Sequence, residues 1–148
     1  MTIPQSSARR LGAGVTLLVA LDLGGGLLAV RSGVNTWADA WGSRALLAAP
    51  WPMISGQVLL TWLATRTTRR IGALPAGLLT LACLVSAASG FFDGGLGHHR
   101  LSGGLVAYQV VLLTATAGVG VLAAARARSV WAWRDTGVAA PDSGILAG

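Results

Sequence analysis

The chain has 148 residues, 53% of them hydrophobic and 11% charged, against roughly 25% charged in an average soluble domain. All eleven basic residues are Arg and all five acidic residues are Asp, so there is no Lys or Glu to solvate a water-facing surface or to build helical ion pairs. A disordered chain and an ordinary aqueous domain are both excluded, and lipid is the implied solvent.

Four apolar blocks follow one another. A hydrocarbon core about 30 Å thick needs about 20 helical residues, and four segments match: Leu11 to Val30, Ala45 to Thr65, Ile71 to Phe92 and Leu101 to Ala125. The expected fold is an all-α, integral membrane four-helix bundle, because no stretch alternates with a strand period and hydrocarbon cannot hold an open sheet edge. A polar amino-terminal tail, residues 1–10, precedes the membrane domain of residues 11–128. A carboxyl-terminal tail, 129–148, follows it, interfacial at first and then, after Arg134, small, polar and expected to be disordered.

The Arg9-Arg10 pair before the first block, with Ala38-Asp39-Ala40 as a small-x-small site, has features of a signal peptide. The apolar run is longer than the usual 7 to 15 residues and contains Asp22, so it is kept as the first span. Between the first two spans, Asn35-Thr36-Trp37 begins a stretch with Trp37 and Trp41 at i and i+4, which predicts an interfacial helix. Trp51 shares that level, and Trp62, Trp131 and Trp133 mark the other boundary as an aromatic belt. Pro50 and Pro52 sit near the start of the second span, where Pro is best tolerated in a first turn. The Thr65 to Ile71 loop is short enough to force an antiparallel hairpin.

Positive charge sets the expected orientation. Arg9, Arg10, Arg66, Arg69, Arg70, Arg126, Arg128 and Arg134 fall on one side, against Arg31, Arg44 and Arg100 on the other. Both termini are therefore expected to be cytoplasmic, in a bacterial inner membrane. The net charge of +6 does not indicate a nucleic-acid partner, which would need a basic face on an aqueous scaffold.

Asp22 is the most informative residue. A carboxyl group inside a span costs at least ~2.5 kcal/mol and normally faces the bundle interior or water. Counted from the ends of their spans, Asp22 and Gln109 both lie about 12 Å deep. Tyr108 adjoins that level, Gln57 falls near it, and Ser86 and Ser89 lie above it. Asp22, Gln57, Tyr108 and Gln109 thus make a candidate intramembrane polar layer. It would bind a proton or a small polar solute, or else act as interhelical glue through an Asp bonded to a Gln amide.

The loop between the third and fourth spans contains Asp93, His98, His99 and Arg100, the chain's only His pair among flexible glycines. Structural zinc wants four ligands and catalytic zinc three, haem would want His inside the bundle, and the single Cys83 has no partner for a thiolate site or disulfide. No metal and no cofactor are expected. Gly24-Gly25-Gly26 follow no strand and precede no Lys-Ser or Lys-Thr, so they are not a phosphate loop. With Ala20/Gly24, Ser86/Gly90, Thr114/Gly118 and Thr116/Gly120 they form small-xxx-small rows that let backbones approach closely.

The layout of four spans in fewer than 150 residues with an Arg-rich hairpin resembles small bacterial four-helix membrane proteins such as the DoxX-like group. The resemblance covers span number and spacing, and no activity or residue role comes with it. Three function classes follow from the residues. The leading one is an auxiliary or assembly subunit, not an enzyme, that packs through glycine-rich faces against itself or another membrane protein. The second is an oligomeric proton-linked small-solute transporter or channel using Asp22. The third is a membrane enzyme acting on a lipid or quinone at the outer face through Asp93, His98, His99 and Arg100.

Overall fold

A computed structural model of the chain describes residues 3–66, 70–92, 96 and 101–132. Four α-helices account for most of them: α1 (Ile3–Arg31), α2 (Trp51–Arg66), α3 (Ala73–Phe92) and α4 (Gly103–Ala132), with a single 3₁₀ turn at Arg70–Gly72 leading into α3. There is no strand among the described residues. Three segments are long and apolar enough to cross a membrane: Gln5–Arg31, Ala73–Phe92 and Gly103–Ala132. With 16 residues, α2 is about 24 Å long and falls short of the hydrocarbon thickness.

The second span differs from expectation in a way that shapes the whole molecule. Residues 45–50 are irregular, and the helix begins only at Trp51. Pro50 bars Ala49 from helical geometry, while Pro52 falls in the first turn, where a missing N–H is tolerated. The interfacial helix expected around Trp37 and Trp41 is not formed either, and this stretch is a series of turns. The Thr36 carbonyl accepts the N–H groups of Asp39 (3.1 Å) and Ala40 (2.9 Å), and the Thr36 hydroxyl donates to Asp39 Oδ2 at 2.8 Å. With the Asp39 N–H also on the Thr36 hydroxyl at 3.3 Å, this is a single capped turn that does not continue as a helix. The three indoles still meet, with ring centroids 5.8 Å apart for Trp37 and Trp41 and 5.9 Å for Trp41 and Trp51. The long helices also overrun their expected ends. α1 begins at Ile3, inside the expected polar tail, and α4 continues to Ala132.

Buried positions recur at spacings of three and four. On α1 Leu11, Val15, Leu18, Asp22, Gly25 and Ala29 follow that spacing, and Gly26 is buried beside them. On α2 they are Ile54, Gln57, Thr61 and Ala64. This is the seam of helices packed nearly side by side. Outside the seams the bundle is apolar: Phe92 is 87% exposed, Leu74 68% and Val121 63%. Soluble monomers rarely show such continuous apolar surface, so lipid is what covers it. The interior is where the polar groups lie, with Asp22, Gln57, Thr61, Gln109, Thr116 and Arg126 all buried.

The core has two apolar parts. Leu11, Val15, Leu18, Ala64, Leu79, Val119 and Ala123 belong to a cluster at the end where α1 begins and α4 finishes. A smaller cluster, Ala29, Leu47 and Leu105, closes the other end. Asp22 lies between them along α1. The connection of residues 32–50 folds over α1 because Gly25 and Gly26 have no side chains: a Cβ on Gly25 would collide with the Leu47 carbonyl oxygen, and one on Gly26 with the Trp41 indole. Gly25→Ala should therefore destabilise the protein by about 1–3 kcal/mol, measured as a lowered unfolding midpoint in detergent. Gly12→Ala, where nothing lies within 4 Å, should not lower that midpoint and should raise it slightly through helix propensity.

Candidate functional site

Asp22 sits on the α1 seam and is 2% exposed. Its Oδ1 accepts the Ala49 N–H at 2.9 Å, so the carboxylate's partner is the irregular connection and not a Gln amide. The Asp22 backbone carbonyl also accepts the Trp41 indole N–H at 3.3 Å. Neighbouring polar groups complete the support of this segment. Gln109 Nε2 donates to the Leu46 carbonyl at 3.5 Å, a long bond. Asn35 accepts the Leu46 N–H at 3.4 Å and donates to the Arg44 carbonyl at 3.0 Å, and the Trp51 N–H reaches the Trp41 carbonyl at 3.0 Å. Non-helical backbone is tolerated at membrane depth only where it is buried in protein or lines a cavity, and these bonds meet that need at Arg44, Leu46 and Ala49.

Because the connection is not helical, it leaves room beside it. A cavity of about 290 Å³ opens among Asp22, residues 45, 46 and 48–50, Met53 and Gln57 of α2, Ser86, Ser89 and Gly90 of α3, and Gln109 and Thr116 of α4. Three members of the expected polar layer, Asp22, Gln57 and Gln109, share its wall, joined by the two serines. Gln57 is 3% exposed, and its Oε1 meets no hydrogen-bond donor among the described residues. Tyr108 stands apart: its hydroxyl donates to the Leu21 carbonyl at 2.6 Å, and it does not line the cavity. A separate groove between α1 and α2, lined by Val15, Val19, Val58 and Trp62 among others, is mainly apolar.

The opposite end of the bundle holds Arg126, one of the charges that set the expected orientation. Arg126 is 1% exposed. Its Nε donates to the Ala64 carbonyl at 3.2 Å and its Nη1 to Ser7 Oγ at 3.3 Å, while Ser7 and Ser129 hydroxyls meet at 3.0 Å. The signal was in the spacing, since Val119, Ala123, Arg126 and Val130 continue the buried stripe of α4. As a result, α2 has a carboxylate from α1 near its first turn and a guanidinium from α4 on its last turn. That arrangement complements the partial charges of a helix, positive at the amino end and negative at the carboxyl end.

Asp93, His98, His99 and Arg100 lie outside the described residues, as do Trp133 and the carboxyl-terminal segment from there onward. Among the described residues no three His, Cys, Asp or Glu side chains come together as a metal site. The glycine rows divide. Gly24, Gly90 and Gly120 face Tyr108, Leu113 and Cys83 within the chain, whereas Gly118 has nothing within 4 Å. No family model matches this chain, and neither a curated protein nor a solved structure matches it.

Two substitutions separate the roles of the Asp22 side chain. Asp22→Asn keeps an oxygen that can accept from Ala49, whereas Asp22→Ala leaves that N–H buried and unsatisfied, at a cost of about 1–3 kcal/mol. Thermal unfolding in detergent micelles should place the Ala variant below the Asn variant by that margin.

Proposed function

We propose that this chain is a small multi-pass membrane protein that takes up a small polar solute or ion in the cavity around Asp22, as a component of proton-linked solute transport. The observation that supports this reading is that Gln57, whose buried Oε1 meets no donor among the described residues, shares the wall of one cavity with Asp22. A buried acceptor left unmet costs stability, and a solute that donates to it recovers that cost. A buried carboxyl group in a span also marks a solute or proton path by default. In this reading the membrane is a bacterial inner membrane with both termini cytoplasmic, supported by the eight-to-three distribution of Arg residues. Under that orientation the cavity lies toward the outer face.

Transport is tested in proteoliposomes by stopped-flow light scattering after osmotic challenge with glycerol, urea, sodium chloride or methylammonium chloride. A pH-sensitive dye in the lumen follows protons. The wild-type chain should accelerate recovery for at least one of these, and Asp22→Asn should return the rate to that of empty vesicles. Rates equal to those of empty vesicles for every solute and for protons would remove the transport reading.

The second reading, an auxiliary or assembly subunit, draws on one feature: Thr114 and Gly118 face outward on α4, with open space beside Gly118. Most other packing glycines are used inside the chain, which is why this reading stands second. It predicts that Gly118→Leu lowers oligomer recovery in mild detergent, measured by native mass spectrometry. An unaffected oligomer, or a wild-type monomer, would contradict it.

A further inference from the structure

The chemistry of the cavity walls goes further than the presence of a solute. We infer that the cavity is built for a small monovalent cation, an alkali-metal ion or a small organic ammonium; the inference rests on reading the cavity as a solute site.

The first reason is the distribution of donors and acceptors. The cavity is lined by Asp22, one carboxylate oxygen of which is engaged by Ala49, and by Gln57, whose buried Oε1 meets no donor among the described residues. The donors at the amino end of α2, by contrast, have been removed or spent, which leaves neutral side chains such as Ser86 and Ser89 as the remaining donors on the wall. The amino end of α2 borders the cavity, and a helix amino end is ordinarily an anion site because its first N–H groups are free. Here Pro50 and Pro52 have no N–H to give. The Ala49 N–H is taken by Asp22, the Trp51 N–H by the Trp41 carbonyl, and those of Met53 and Ile54 by the Pro50 carbonyl. The Thr116 hydroxyl donates to its own helix at the Leu112 carbonyl, and the Gln109 amide donates to Leu46. Among the described residues no Arg or His lines the space. An anion would meet the Asp22 carboxylate with no cationic side chain to offset it, whereas a cation finds in Asp22 the charge that balances it.

Charge count and size narrow the class. One carboxylate balances one positive charge, and no cluster of three His, Cys, Asp or Glu exists among the described residues. Hard divalent cations favour sites richer in carboxylate and carbonyl oxygen. The volume of about 290 Å³ lies at the small end of ligand pockets and matches about ten waters at ~30 Å³ each. That is room for a partly hydrated ion or an ammonium with a few carbons.

Binding to the purified full chain in nanodiscs tests the inference, with tryptophan fluorescence as the readout, because the Trp41 indole is bonded to the Asp22 carbonyl and packed on Trp51. Sodium, potassium and methylammonium chlorides are titrated at constant ionic strength against N-methylglucamine chloride. Magnesium chloride, N-methylglucamine acetate and glycerol serve as contrasts. A saturable response to sodium, to potassium or to methylammonium is expected, and which of these gives it separates the alkali ion from the ammonium. Magnesium and acetate should give none. Asp22→Asn should abolish the response. Gln57→Leu, which removes an unmet acceptor and so should not lower the unfolding midpoint of the empty protein, should weaken binding roughly tenfold or more. A response to acetate or magnesium equal to that for the monovalent cations, or an unchanged affinity in Gln57→Leu, would overturn the inference. If glycerol alone gives an Asp22-dependent response, the cation assignment falls and the solute site stands. If no probe gives any response, both fall together.

Discussion

The hydrogen bond from the Ala49 N–H to the Asp22 carboxylate is the interaction on which the rest of this structure turns. Hydrocarbon offers no partner to an exposed peptide group, yet residues 45–50 run through the bundle without helical bonding. Asp22 supplies the acceptor that this backbone lacks, at a position where a carboxyl group without partners would be costly. The short helix α2, the turns before it and the cavity beside it all follow from chain that leaves regular structure inside the bundle and is satisfied there by side chains from α1 and α4.

The same solvent explains what lies inside and what lies outside. Leucines, valines and phenylalanines gain little from hiding when lipid surrounds them, so they cover the outer face, and helix association depends on close approach and polar bonds. Gly25 and Gly26 bring the connection against α1. Gly120 brings α4 against Cys83 of α3. Where Ser86 and Ser89 of α3 come beside the non-helical segment, atoms no longer fill the space and the polar cavity appears.

Much of this was legible in the residues. Block lengths and the absence of Lys and Glu gave the helical membrane fold, and depth counting brought Asp22, Gln57 and Gln109 to one level. Tyr108 was matched by depth but not by facing. It neighbours Gln109 in sequence, so it points about 100° around the helix, toward Leu21 and away from the cavity. Two features stayed hidden because hydropathy averages over them. Ala45 to Ala49 read as an apolar span, since nothing in its composition tells helical from extended backbone, and the two prolines were the only warning. Arg126 read as an interfacial charge, because a guanidinium at the end of an apolar block usually is one. Only its place in the buried stripe with Ala123 and Val130 marks it as interior.

Because α2 is held by Asp22 from one neighbour and Arg126 from another, its docking cannot be completed in the order in which the polypeptide is made. The Arg126 contact to Ala64 spans 62 residues, so α2 has left the ribosome well before the side chain that fastens its last turn is synthesised. The last turn of α2 is therefore fastened only once α4 lies beside it.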